Sequence, residues 1–223
     1  MTSPWPDLED LFGRLERCEE LAEGAGEVAR FARERLGTDH AGLSLHTEAG
    51  GATRLALTDP LVAELDELRL LLHGGPGGRA LPEGSATTIA DTRHDPLWPD
   101  WSTAAAGLDV LSVRVLGLPA IRGHAVTLDL YSHRPRAFEH DGWADLGRTA
   151  LQAGRLLRQV DRVQNLREAL TTRALIGQAQ GIVMERHALT SEQAMAYLRR
   201  MSQESQVKVR DLAERIVSGT EPR

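Results

Sequence analysis

The chain of 223 residues contains a single cysteine, Cys18, so it can form no internal disulfide and no thiolate cluster around a metal. Aromatic residues make up only 4%. Lysine occurs once, at Lys208, and every other fixed cation is arginine. No apolar run approaches the length of a membrane span. The opening MTSPWPDLEDLF is acidic and broken by prolines, without the basic and apolar regions of a signal peptide. A soluble, cytoplasmic protein with no membrane partner is expected. The eight histidines are scattered without HExxH or Cys/His spacing, which argues against a metal site. There is no GxSxG. The loop His73-Gly-Gly-Pro-Gly-Gly lacks both the Lys-Ser/Thr and the GxGxxG spacing that cradle phosphate, and reads as a turn. Neither a catalytic function nor a cofactor is expected.

What is present is an uneven charge. The whole chain carries a formal −6, but residues 166–223 hold nine Lys+Arg against seven Asp+Glu. A basic tail on an acidic body is a hint of a polyanionic partner.

Periodicity divides the chain further. Apolar residues at three- and four-residue steps predict a helix from Asp7, broken at Gly24 and Gly26, and a second one through Val28 to Leu36, with Gly37 as its C-terminal cap. Alternation then predicts a hairpin of Ala41–His46 with Ala52–Leu57 across Gly50-Gly51. Pro60 opens a helix to Leu72. Strands follow at Thr87–Ala90, Val110–Leu116 and His124–Tyr131, with a short helix or loop over Pro96–Ala106. This is an α+β domain on an antiparallel sheet flanked by helices. From Phe138 a long connecting helix of coiled-coil character carries Ala153, Leu156, Val160, Val163, Leu170 and Ala174. That stripe is expected to pair two helices in a homodimer, the alternative being that it packs on its own sheet. Thr190 with Gln193 has capping-box spacing for the next helix, and Ser205 is placed to cap a third, which Gly219 ends. The boundaries expected are 1–150, a connecting helix at 151–165, and a three-helix bundle at 166–223.

The pattern Ala174-x-Ile176-x-Gln178-Ala179-Gln180-Gly181-Ile182-x-Met184, followed by Ala194, Leu198, Ser202-Gln203 and Lys208-x-Arg210-Asp211-x-Ala213, resembles the ANTAR domain of transcription antitermination regulators. Two positions depart from it: the family usually has Lys at Gln180 and Asn at Gln206. The first 150 residues resemble a GAF domain of the kind that precedes ANTAR in actinobacterial regulators. That resemblance rests on Leu65-Asp66-x-Leu68, Gly75-Pro76, Asp91, Trp98-Pro99, Gly107, Ser112-Val113 and Leu130-Tyr131-Ser132. Relatives often carry Gly-Pro-Cys in the loop. Here Gly77 follows Pro76, which excludes a thiol sensor at that site, and one cysteine cannot form the disulfide relay of thiol-dependent GAF reductases.

The resemblance implies a regulator that binds two-stem-loop leader RNA as a dimer and favours an antiterminator structure over a terminator. Loop bases are open to side chains, whereas the deep groove of A-form RNA is not. Cations for phosphate and amides for base edges are therefore the candidates: Arg199, Arg200, Gln203, Gln206, Lys208 and Arg210, then Arg173, Gln178, Gln180 and Arg186. The alternative for each is a solvated helix face. Tyr197 can stack on a base or half-bury beside Leu198. A pocket for an unknown small molecule in the first domain would use Asp91, His94 and Trp98, the alternative being a rigid proline-bounded loop. A DNA-binding regulator and a non-catalytic dimerisation module remain the competing functions.

Overall fold

Five antiparallel strands form one sheet in the order β2-β1-β5-β4-β3: β1 His40–His46, β2 Ala52–Leu57, β3 Ala86–Ile89, β4 Ser112–Ile121 and β5 His124–Ser132. The structure, a computed structural model, describes residues 8–35, 37–47, 51–77, 81–139 and 143–220, without the side chains of 8, 35 and 143–146. The chain divides into two compact units, Met1–Val163 and Gln164–Arg223.

β5 explains why its alternation is imperfect in the sequence: it is central and covered on both faces. Val126, Leu128 and Leu130 pack with Leu11, Leu15, Val28, Ala32 and Leu157. These come from α1 (Leu8–Arg17), α2 (Leu21–Arg35) and α5 (Trp143–His187). Tyr131 faces the opposite side, with Val62, Leu65, Trp101, Ala105 and Val113, under α3 (Pro60–Leu71) and α4 (Pro99–Gly107). α3 begins where expected because Asp59 accepts a hydrogen bond from the Leu61 N–H and Pro60 needs no partner for its nitrogen. Gly37 takes a left-handed φ of 65°, and β1 pairs with β2 as a hairpin, although Gly50 of its turn lies outside the described residues.

Several expectations are corrected. α2 runs through Gly24 and Gly26, and the break falls at Cys18–Glu20 instead. Gly24 is there for contact: a Cβ at that position would stand 2.9 Å from Leu157 Cδ2. The long helix starts at Trp143, while Phe138 is buried in a preceding turn. Ala153 and Val160 of the expected seam are buried within the first unit, and Arg122 holds Asp161 of α5 through Nε and Nη2 at 2.8 and 2.7 Å. Val163, Leu166 and Leu170 are 39%, 58% and 68% exposed. The first stretch of the stripe is therefore core, and only the later stretch is open for pairing.

Candidate functional site

The second unit is built from the end of α5 with α6 (Ser191–Ser205) and α7 (Val209–Ser218). Its core is Ala179, Val183, Ala194, Leu198, Leu212, Ala213 and Ile216. The three alanines are fully buried, which lets the helix backbones come close. The capping box is formed: Gln193 N–H donates to Thr190 Oγ1 at 3.3 Å and Thr190 N–H to Gln193 Oε1 at 2.9 Å. Ser205 does not cap α7, because its hydroxyl donates back to the Met201 carbonyl at 2.6 Å. Lys208 occupies that N-cap position without a side-chain bond. Ser202 ties the corner by donating to the Val207 carbonyl at 2.6 Å. Gly219 closes α7 with a left-handed φ of 71°.

Arg199, Arg200, Gln203, Gln206, Lys208 and Arg210 are all exposed along the end of α6, the turn and the start of α7. Lys208 and Arg210 stand at the N-terminus of α7, where the first N–H groups of a helix also favour an anion. Arg173, Gln178 and Arg186 are exposed on α5, a separate element from that corner. Gln180 is committed elsewhere: its Nε2 donates to the Ser191 carbonyl and hydroxyl at 2.6 and 2.8 Å. Gln206 ends α6 in the left-handed region at φ 55°. Asn tolerates that conformation better than Gln, so the side chain expected there has a backbone reason.

The first unit holds a cleft of about 820 Å³ between the sheet and α3, lined by Ser44, His46, Arg54, Asp66, Arg69 and Trp98 among others. Of the three pocket residues expected, only Trp98 lines it. Asp91 instead caps the turn Thr92–His94 and holds Arg93 at 2.7 Å, and Arg93 keeps its carboxyl well below the usual range. His94 pairs with Asp91 at 3.4 Å.

Arg69 forms the floor of the cleft. It is 7% exposed and bonds Asp66 at 2.6 Å, Asp129 at 3.5 Å and the Tyr131 hydroxyl, tying α3 to β5. Burial alone would lower its pKa, but Tyr131, Asp129 and Asp66 raise it. Burial pushes Asp129 up to about 6, against the opposing pull of Arg69. Gly77 lies over this carboxylate with φ 74°, and a Cβ there would stand 2.9 Å from Asp129 Oδ1. A cysteine after Pro76 would thus be both strained and crowded. His46 Nε2 meets Thr127 Oγ1 at 2.9 Å, and burial, then Arg69, lower its pKa.

This sheet with helices on both faces is a GAF-like fold. It is similar to the photosensory core module of Stigmatella aurantiaca phytochrome, with 11% identity and a TM-score of 0.56, over 94% of this chain and 47% of that one. The chromophore-binding domain of an unusual bacteriophytochrome from R. palustris is similar at 10% identity and TM-score 0.48, over 72% of this chain and 62% of that one. Free methionine-R-sulfoxide reductase from Neisseria meningitidis is similar at 13% and 0.47, over 71% and 88%. The chain therefore spans less than two thirds of either phytochrome chain. Comparison with curated proteins gives no match. Residues 164–217 match the ANTAR domain. The chain thus joins a GAF-like fold to a segment that matches the ANTAR domain.

Proposed function

We propose that this chain is a cytoplasmic, non-catalytic regulator of transcription that binds paired RNA stem-loops through its ANTAR domain and acts by antitermination. The observation that carries the reading is the ANTAR match across residues 164–217, which takes in the last turns of α5, all of α6 and most of α7. The exposed cations at the α6–α7 corner support it. A protein that binds one fold of a transcript shifts the RNA toward that fold. A homodimer would present two bundles to two loops, and the exposed Val163, Leu166 and Leu170 offer it a seam. The cleft over Arg69 would receive a small-molecule signal, or the GAF-like domain would serve to hold the dimer.

Replacing Arg199, Arg200 and Lys208 together by Gln tests the reading. All three are exposed, so the fold should be kept and the thermal melt unchanged. Binding to a two-stem-loop RNA should weaken and its salt dependence flatten, because fewer counterions are released. Duplex DNA at matched salt is the control. If it competes as well as the RNA, the chain is a DNA binder.

A further inference from the structure

We infer that His187, Tyr197 and Arg200 form a stacking platform for one unpaired RNA base, an inference that rests on the RNA-binding reading above. Residues 164–223 contain one Phe, Trp or Tyr side chain, Tyr197, and one histidine, His187. They lie side by side, with ring centroids 5.3 Å apart and planes tilted by 35°. The Arg200 guanidinium carbon stands 5.6 Å from the centroid of the tyrosine ring. Three planar groups thus converge from two elements, His187 at the last residue of α5 and the other two on α6.

Packing does not explain the cluster. The core of the unit is aliphatic, and Tyr197 is only partly buried against it, while His187 and Arg200 are exposed. The tyrosine hydroxyl makes no hydrogen bond among the described residues, so no polar anchor explains the ring. A ring held in part by the core and in part exposed is what a base requires of a platform. Phenol, imidazole and guanidinium planes all stack on bases. Apart from the tyrosine ring, Arg200 meets only the exposed Glu204 among the described residues, at 3.8 Å, and such a surface pair is worth little. It can be exchanged for a base or phosphate at small cost. Arg199, next in the chain, is a further exposed cation of α6. The α6–α7 corner would then track phosphates while this trio holds a loop base that has left its own stack.

The test uses the full chain and an RNA of two hairpins with six-nucleotide loops, in which 2-aminopurine replaces each loop adenine in turn. Wild type should quench the fluorophore at one loop position. Tyr197→Phe should keep both quench and affinity. Tyr197→Leu, which retains the apolar contact with the core, should lose the quench and bind about 10-fold more weakly. The double variant His187→Ala/Arg200→Gln changes only exposed side chains, and should lose the quench even if Tyr197→Leu proves unstable in a thermal melt. Unchanged quench and affinity in the folded variants would overturn the platform while leaving RNA binding intact. Wild type that shows no preference for this RNA over duplex DNA at matched salt would remove the RNA reading, and the platform with it.

Discussion

Asp129 is the residue with the most unusual surroundings. It is wholly buried, shares Arg69 with Asp66, and titrates at about 6 instead of 3.8, chiefly because of burial. Between those values the folded chain holds a proton that the unfolded chain has released. Its contribution to stability is therefore complete at the acid end of this window and is lost as pH rises through about 6. His46 works in the opposite direction: its lowered pKa gives stability that is present above the ordinary histidine value and lost as pH falls. The two are separated by comparing wild type with Asp129→Asn. Relative to wild type, the variant should gain stability as pH goes from about 4 to about 7, by up to about 3 kcal/mol. Thermal melts across that range check it, and a difference that does not vary with pH would exclude Asp129 as the titrating group. The replacement is preferable to Arg69→Ala, which would leave a buried carboxylate without its cation at a cost of about 3–5 kcal/mol.

At the scale of elements, two glycines of the same helix should behave oppositely. In the first unit, a Cβ on Gly154 would stand 2.4 Å from Pro119 Cδ, and a proline ring gives way poorly. Gly154→Ala should destabilise by about 1–3 kcal/mol. In the second, Gly181 has nothing within 4 Å of its Cβ position, so Gly181→Ala should stabilise by about 1 kcal/mol through helix propensity. Denaturant titrations of both variants measure the pair of signs. The same contrast shows what could be read from the sequence. The Thr190–Gln193 cap, the helix opening at Pro60, the β1–β2 hairpin and the αL glycines at 37 and 219 were legible, because each is decided within four or five residues. Gly24 was misread as a breaker because its reason is Leu157, more than a hundred residues away. Arg69 carried no signal for a similar reason: Asp129 and Tyr131 approach it only through the sheet. Asp91 and His94 suggested a pocket by their chemistry, yet local pairing with Arg93 and the cap on the turn already use Asp91. The cationic face of the ANTAR domain was visible as residue types, but Gln180 could not be known to hold Ser191.

For the whole molecule, the proposed dimer makes a direct demand on Leu166 and Leu170. Both are more than half exposed, and neither contributes to a core cluster. Replacing both by Ser should leave the melting temperature of a monomer nearly unchanged, since surface changes of this kind are usually worth under about 0.5 kcal/mol. Sedimentation should then show a shift from dimer to monomer, and the variant should lose wild type's tighter binding to a two-loop RNA over a one-loop RNA, because bivalency is lost. A wild type that sediments as a monomer at every working concentration would remove the dimer from the proposal. The single Cys18 makes a second measurement accessible. Its thiol donates to the Arg14 carbonyl at 3.3 Å, and burial, then Glu23 and Glu27, raise its pKa, so it offers little thiolate at neutral pH. A cysteine introduced at Leu170 would be the fast-reacting thiol of the chain. It could be labelled selectively, or oxidised to a disulfide joining two copies at their seam, with the native thiol left in place as a silent internal control.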